Sequence, residues 1–488
     1  MKRTLISLIP VVVLIVLLSF DISIFGSDSI LGASQVALLF AAGVCVCLAT
    51  WLFKTPWKAF ETAIKDNVGD VTMAIVILFF IGAISGTWTM SGVIPTLVCY
   101  GVKIISPRFF LLTACVICAV VSVMTGSSWT TIATVGVALL GIGKAEGFSE
   151  GIIAGAIISG AYFGDKISPL SDTTVMASSI SGTPLFTHIR YMLVTTVPSI
   201  TITLIIFTIL GLTHGGGDPG QVGLYEEALR ARFNITPWVL IVPLCTGIMI
   251  ARKMPAIPVL AISVLLAAIF ALLFQPGLIA GIGREAIAAR GAAGDLPQTR
   301  IMLTGTIETI YNSVSIDTGN PQVNELVTSR GMTGMLNTVY LIICAMCFGA
   351  CMRASGMIAQ LASALVPLTR RRTGLVATTV GTGTALNALV CDQYLAIILT
   401  CHTFKDIYDK EGYESRLLSR SIEDSATITS PLVPWSSCGM TQATILSTPT
   451  LVYLPYCFFN IISPLMSIAI AAIGYKIVRP KPQQTETT

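Results

Sequence analysis

The sequence predicts an all-α polytopic membrane protein with inverted-topology repeats, each with five crossings, a re-entrant hairpin and a broken helix. Three observations predict it: the composition, the long apolar segments and a repeated order of short motifs. Of 488 residues, 54% are hydrophobic and only 11% are charged. Soluble domains carry about 25% charged residues. Most of this chain must therefore face lipid or a core embedded in lipid.

The apolar segments define the predicted spans. A transmembrane helix needs about 20 apolar residues, and the segments of this kind are 4–20, 30–53, 70–100, 150–180, 188–212, 235–251, 256–275, 335–368, 416–447 and 451–475. Two further apolar segments, 107–143 and 373–404, are divided by the polar stretches TGSSWT (125–130) and TGTALN (382–387). We predict that both are re-entrant hairpins with these stretches at their tips.

Lysine and arginine in the short loops predict the orientation, because such residues concentrate on the cytoplasmic side. A cytoplasmic N-terminus places Lys54, Lys58, Lys65, Arg252, Lys253 and Arg370 to Arg372 on the inner side. It also makes 476–488 a cytoplasmic tail. No small-residue cleavage motif follows the first apolar run before Asp21, so we predict a retained first helix.

Three landmarks recur in the same order in the two halves. They are SGVI at 91–94 and SGMI at 355–358, TGSS at 125–128 and TGTA at 382–385, and an aspartate before Ser-Pro-Leu, at Asp165 and again at Asp424. An odd number of crossings per half inverts the second half, a plan that places a transport site at the midplane. The predicted organisation is a first repeat at 1–212, an outer connecting loop at 213–234 and a second repeat at 235–475, with an outer insertion at 276–334.

The chemistry concentrates at the two Ser-Pro-Leu breaks. Proline disrupts a helix and frees carbonyl groups, and GDKISPLSD (164–172) adds two carboxylates and several hydroxyls. Charged residues inside a membrane usually mark ion or proton paths. The candidate ion- and proton-binding residues are Asp165, Asp172, Asp424, Asp392 and Glu423, with Na⁺ expected at the first three. The candidate lining residues are Thr125, Ser127, Ser128, Ser168, Ser171, Thr173, Thr382, Thr384, Asn387, Thr429 and Ser430.

Structural alternatives exist for several of these residues. Asp165 and Lys166 could pair with partners that only hold helices together, and Glu423 could lie near the inner surface beside Arg420. The small residues of the tips could serve helix–helix contact. The 13 cysteines and three histidines contain no group with the four converging ligands that zinc needs. We therefore expect packing cysteines and no cofactor.

Two functional classes are disfavoured by missing motifs. No G-x-x-x-x-G-K-[ST] sequence occurs, which argues against an ATPase. The basic residues form no patch with interleaved aromatic residues, which argues against nucleic-acid binding. We therefore expect transport across the lipid bilayer that is driven by an ion gradient. The sequence does not decide whether the protein forms a homodimer.

The segments TGSSWTTIATVGVAL and SGAYFGDKISPLSDTTVMAS resemble the most distinctive segments of the NhaC-type Na⁺/H⁺ antiporter family of bacteria. The likeness extends from about residue 30 to residue 475. It implies the fold of the ion-transporter superfamily, a bacterial inner-membrane location, and tips that hold Na⁺ and substrate, here Thr125–Ser128 and Thr382–Thr384. Ala385 replaces a serine, which weakens this implication for the second tip.

Three hypotheses about function follow. The first is a Na⁺/H⁺ antiporter, in which buried carboxylates bind either a cation or a proton because burial disfavours their charged form. The second is a Na⁺-coupled exchanger of a small organic anion or of an amino acid. The resemblance implies malate and lactate as examples, because some members of that family exchange Na⁺ and protons together with such acids. A carboxylate substrate would need a cationic partner, and only Lys166 and Arg353 are basic near the breaks, so this hypothesis is less favoured than the first. The third is a channel or a membrane enzyme, for which no nucleophile–base pair appears.

Overall fold

The computed structural model describes residues 2–25, 32–213, 219–252, 254–291, 296–365 and 371–477. These residues form helices and, apart from one isolated bridge between Val314 and Ser329, no β-structure. The predicted tail lies outside the described residues from residue 478 onward, as do Lys253 and Arg370.

The first half of the chain contains eleven α-helices. They are α1 (Lys2–Phe25), α2 (Ala33–Leu48), α3 (Trp57–Asp70), α4 (Thr72–Met90), α5 (Val93–Ile104), α6 (Phe110–Thr125), α7 (Ser128–Thr131), α8 (Val137–Ala145), α9 (Glu150–Ile167), α10 (Asp172–Ser181) and α11 (Leu185–Thr213). A π-helical turn, Ile132–Gly136, joins α7 to α8.

The remaining helices follow in the second half. They are α12 (Pro219–Arg232), α13 (Ile241–Ala251), α14 (Ala256–Phe274), α15 (Pro276–Ala289), α16 (Gln298–Tyr311), α17 (Pro321–Val327), α18 (Leu336–Ala354), α19 (Met357–Leu365), α20 (Arg372–Val390), α21 (Gln393–Lys410), α22 (Ser415–Ile422), α23 (Ser437–Ile445), α24 (Thr450–Tyr453) and α25 (Phe458–Ile473).

Length and composition make this a polytopic membrane protein. Among the described residues, seven helices are long and apolar enough to cross a membrane, or up to nine if each of two bent pairs is one span. The sequence-based set of ten full spans differs in two ways. Its spans 150–180 and 416–447 are interrupted helices and do not qualify, whereas Pro107–Thr125, predicted as part of a hairpin, is long and apolar enough to be counted.

The two interruptions have the same cause. Helix α9 ends at Ile167, the backbone is extended at Ser168, and α10 begins at Asp172; Pro169 lies between them. In the second half, α22 continues into a π-helical segment, Glu423–Thr427, and then a single turn at Ser430–Leu432 that contains Pro431. Proline lacks the amide donor that would continue each helix. The broken helices predicted from the sequence are therefore present.

The first hairpin tip lies where the sequence places it, but the second does not. Helix α6 turns at Gly126, with φ of 67°, and Ser127 caps the next helix by accepting a hydrogen bond from the Thr130 amide. The predicted second tip, TGTALN at 382–387, lies inside α20. The actual turn is at Cys391, with φ of 61°, before Asp392, which caps α21.

An internal repeat of local geometry extends through both halves. Three residues with positive φ recur 265 positions later in the chain, namely Gly126, Gly147 and Gly182 in the first half and Cys391, Gly412 and Ser447 in the second. A contact between helices recurs at the same spacing. Ser122 Oγ donates to the carbonyl of Ala161, and Asn387 Nδ2 donates to the carbonyl of Ala426. The opposite membrane orientation of the two halves stays a prediction.

The region predicted as an outer insertion, 276–334, is largely helical. Helices α15 and α16 pack closely because Gly283 and Gly305 present no side chain at their crossing: a Cβ on either would collide with the other helix. Gly86 of α4 likewise lies against the Thr309 carbonyl of α16. Small residues let helix backbones approach in this way. The insertion is thus a packed helical pair rather than an irregular loop.

Candidate functional site

A cavity of about 630 Å³ lies at the first hairpin tip. Its polar lining comes from the tip itself, the break between α9 and α10, the end of α3 and the start of α21: Asp70, Thr125, Ser127, Ser128, Trp129, Thr130, Asp165, Ser171, Asp172, Thr173, Gln393 and Tyr394. Seven of the residues proposed from the sequence are therefore brought together on one surface.

Asp165 is the buried acid of this cavity, with 5% of its surface exposed. Its Oδ2 accepts a hydrogen bond from the hydroxyl of Ser128 at 2.7 Å and lies 3.3 Å from the Ser128 amide. Thr125 Oγ1 accepts a hydrogen bond from the Ser127 amide at 3.1 Å, which fixes the tip. A carboxylate surrounded by hydroxyl oxygens offers the hard oxygen ligands that small cations of the main groups prefer.

Two more carboxylates lie nearer the solvent. Asp70 and Asp172 line the same cavity and are exposed. None of the described residues that line it is lysine, arginine or histidine. A cleft that carries charges of one sign concentrates counter-ions. This cavity therefore favours cations over anions.

The second hairpin faces the cavity through Gln393 and Tyr394. These residues lie 265 positions after Ser128 and Trp129, so equivalent positions of the two tips line one space. Asp392 does not line it. Its Oδ1 accepts a hydrogen bond from the Leu395 amide at 3.0 Å, and its Oδ2 accepts one from Ser437 Oγ at 3.2 Å. Asp392 thus stabilises the second tip as a helix cap.

A second polar cluster lies outside the cavity lining. Lys166 Nζ forms a fully buried ion pair with Asp424 Oδ1 and also contacts Ser463 Oγ at 2.8 Å. Thr195 Oγ1 donates to the same carboxylate oxygen at 3.1 Å. Arg420 Nε lies 3.8 Å from Asp424 Oδ2. The structure therefore pairs Asp424 with cations of the protein and does not bring it to Asp165 in a shared cavity.

Glu423 lies between the two clusters. It is fully buried, and its Oε1 accepts a hydrogen bond from Thr173 Oγ1 at 3.1 Å. Thr173 lines the cavity, whereas Glu423 does not. Glu423 begins the π-helical segment after α22, and such segments often occur at functional sites.

Four of the remaining residues proposed from the sequence, Ser168, Asn387, Thr429 and Ser430, make contacts between helical segments. Ser168 Oγ donates to the carbonyl of Val123 at 2.8 Å, and Ser430 Oγ donates to Gln393 Oε1 at 3.1 Å. Asn387 Nδ2 donates to Thr429 Oγ1 at 3.0 Å. Thr382 and Thr384 lie within α20 and do not line the cavity.

Sequence reasoning missed Asp70, Gln393 and Tyr394 as lining residues. Asp70 is the last residue of α3, and its position at the junction with an apolar span was the available signal. Gln393 and Tyr394 directly follow Asp392, but the displaced tip hid their position. The presence of each of these residues in the cavity lining depends on where the helices turn rather than on a local sequence motif.

Comparison with known proteins agrees with this architecture. The model of the Na⁺/H⁺ antiporter family matches residues 160–475. The chain is 33% identical to the Na⁺/H⁺ antiporter NhaC of Bacillus subtilis over 89% of this chain and 91% of that protein. It is 36% identical to NhaC of Alkalihalophilus pseudofirmus over 88% and 89%.

Relatives with other names also match. The malate-2H⁺/Na⁺-lactate antiporter of Bacillus subtilis is 35% identical over 86% of this chain and 84% of its own length. The family match covers both helix breaks and the second hairpin tip, and the NhaC relatives extend the likeness over nearly the whole chain. On these grounds, the chain belongs to the Na⁺/H⁺ antiporter family.

Proposed function

We propose that this protein is a secondary active transporter that exchanges Na⁺ for H⁺ across the bacterial inner membrane. One observation carries the proposal: a cavity whose buried acid, Asp165, lies beside a hydroxyl-rich hairpin tip, with no basic side chain among its described lining residues. The NhaC relatives, which are named as Na⁺/H⁺ antiporters, support the same two exchanged ions.

The cation is bound at the Asp165 end of the cavity. There the carboxylate supplies the charge, and the hydroxyls of Thr125 and Ser127 supply neutral oxygens. Asp70 and Asp172 raise the local concentration of Na⁺ at the mouth. Asp424 is not part of this site in our proposal, because Lys166 already neutralises it.

The cavity opens to the cytoplasm in this proposal. Asp70 ends a helix that also carries Lys58 and Lys65, and loops rich in lysine and arginine are cytoplasmic. Both termini are cytoplasmic as well. Movement of one helical bundle against the other would then expose Asp165 to the opposite side, as in transporters with inverted repeats.

The test uses purified protein in sealed vesicles that contain a pH-sensitive dye. Addition of Na⁺ should collapse an imposed proton gradient, and Asp165→Asn should abolish this response because the amide carries no charge to hold the ion. Asp317→Asn is the matched control, since Asp317 lies in the 276–334 region and does not line the cavity. Full activity of Asp165→Asn would refute the proposal.

A second candidate is exchange that includes a small organic acid. The malate and lactate relative favours it, and so does a cavity far larger than a bare Na⁺ ion. The absence of a basic group among the described lining residues argues against it, because a carboxylate solute needs a cationic partner. Malate, lactate and arginine added separately to the same vesicles decide between the candidates: a proton flux that requires one of these solutes supports the second.

A further inference from the structure

Glu423 combines full burial with incomplete hydrogen bonding. Its Oε1 accepts from Thr173, but its Oε2 has no hydrogen-bond partner among the described residues. A buried polar atom without a partner usually has a functional or solvent-related reason. A carboxyl group in its neutral form would need no counter-charge at this position, whereas a carboxylate would.

Two hydroxyl groups connect Glu423 to the cavity. Ser171 Oγ and Thr173 Oγ1 lie 2.9 Å apart, and Thr173 Oγ1 lies 3.1 Å from Glu423 Oε1. Ser171 and Thr173 both line the cavity, as does Asp165. A hydroxyl both donates and accepts, so this chain of groups can pass a proton from the cavity to Glu423 and back.

The neighbouring charges leave Glu423 as the free acid of the cluster. Asp424 faces two cations, Lys166 and Arg420, so it already has its counter-charges. His188 uses Nδ1 to contact Ser419. Electrostatic interactions reach Glu423 chiefly from Asp165 and Lys166 of α9.

We propose that Glu423 is the proton-binding site of the exchanger, separate from the cation site at Asp165 and connected to the cavity by Ser171 and Thr173. This inference rests on the proposed Na⁺/H⁺ exchange. A proton enters from cavity water at Ser171, each hydroxyl passes on its own proton, and Glu423 Oε1 receives the last one. The reverse sequence returns it.

Electrostatics then couples the two sites. A negative Asp165 opposes a second negative charge on Glu423, so the cation-free protein holds a proton there. Na⁺ at Asp165 removes that opposition and favours proton release. By linkage, the proton on Glu423 weakens Na⁺ binding by the same factor. One site fills as the other empties, which is what exchange requires.

The experiment measures two reactions in the same vesicles. The first is exchange of radioactive ²²Na⁺ for Na⁺ at equal pH on both sides, which moves no net protons. The second is Na⁺-driven proton flux. Glu423→Gln should lower proton flux about 100-fold, the lower end of the usual scale for loss of a proton-transfer group. It should keep ²²Na⁺ exchange at saturating Na⁺, because the neutral glutamine resembles the protonated form and weakens Na⁺ binding without abolishing it. Thr173→Val should also lower proton flux, because it removes the hydroxyl that contacts Glu423 Oε1, again with ²²Na⁺ exchange retained.

A further readout distinguishes a proton site from a structural residue. In the unmodified protein the apparent KM for Na⁺ should rise as the pH falls, by up to about tenfold per pH unit for one competing proton. In Glu423→Gln this dependence should disappear. Glu146→Gln is the matched control: it also removes a fully buried carboxylate, which lies outside the cavity lining, and it should change neither reaction.

The outcomes separate this inference from the proposed function. Loss of both reactions in Asp165→Asn with loss of proton flux alone in Glu423→Gln supports it. Proton flux that persists in both Glu423→Gln and Thr173→Val overturns it and leaves the Na⁺/H⁺ exchanger intact. If Glu423→Gln fails to fold, Thr173→Val decides: equal losses of both reactions in that variant also overturn the separation of the two sites. Absence of Na⁺-driven proton flux in the unmodified protein refutes the proposed function itself.

Discussion

The buried ion pair of Lys166 and Asp424 should respond unequally to removal of its two members. Asp424→Asn leaves Lys166 and Arg420 buried without a counter-charge. Removal of one partner of a buried pair costs about 3–5 kcal/mol. In Lys166→Met, Asp424 keeps the hydroxyl of Thr195 at 3.1 Å and the ion-pair contact with Arg420 at 3.8 Å. The guanidinium of Arg420 forms no hydrogen bond with the described residues, so it is free to move closer to Asp424. We therefore expect a loss of only about 1.5–3 kcal/mol, the range for one hydrogen bond to a charged group.

The assay is unfolding in detergent, followed by tryptophan fluorescence at a single heating rate, because unfolding of large proteins is often irreversible. Lys65→Met is the control, since its ion pair with Glu61 is exposed on both sides and such pairs contribute about 0–1 kcal/mol. We expect the unfolding temperature to be highest in the control, lower in Lys166→Met and lowest in Asp424→Asn. If Asp424→Asn is as stable as Lys166→Met, the assignment of Asp424 as the shared counter-charge of two cations is refuted.

Two more predictions concern the first hairpin tip and the break beside it. Gly126→Ala should lower the free energy of unfolding by about 1–3 kcal/mol or more, because φ is 67° and a Cβ would lie 2.6 Å from the Leu170 backbone. Gly182→Ala is the control: φ is 76° but nothing lies within 4 Å of its Cβ, so it should lower the free energy of unfolding by only about 1–2 kcal/mol. Equal losses in the two variants would contradict the predicted collision. Leu170→Cys, at a position 38% exposed on the cavity lining, should react with an impermeant maleimide from the cytoplasmic side above the level of the native cysteines. Reaction from the outer side alone would contradict the proposed orientation.

The breaks were predictable because their cause is local. Pro169 and Pro431 each remove a backbone donor, and both lie in a Ser-Pro-Leu sequence that can be recognised without a structure. The first tip was predictable for the same reason, since Gly126 supplies the left-handed turn. At each of these places a single residue determines the backbone conformation.

The second tip could not be found in this way. Its left-handed residue is Cys391, a residue type that rarely adopts this conformation, so the turn has no glycine to indicate it. The glycine that did attract attention, Gly383, lies in α20, where a Cβ would collide with Ser425 of the broken helix. Glycine can serve a turn or a close helix contact, and only the packing distinguishes the two uses.

The repeat shows where the two halves differ in chemistry. Ser128 donates to Asp165 across the first hairpin and broken helix; 265 positions later, Ser430 donates to Gln393 between the equivalent elements. The bond is kept, but the carboxylate of the first half is replaced by neutral groups. A second cation site at the equivalent place would therefore lack the charge to hold Na⁺. Asp424 of the second half instead pairs with Lys166 of the first. In the proposed exchange, the first half supplies the cation site at Asp165 and the second half supplies the proton site at Glu423.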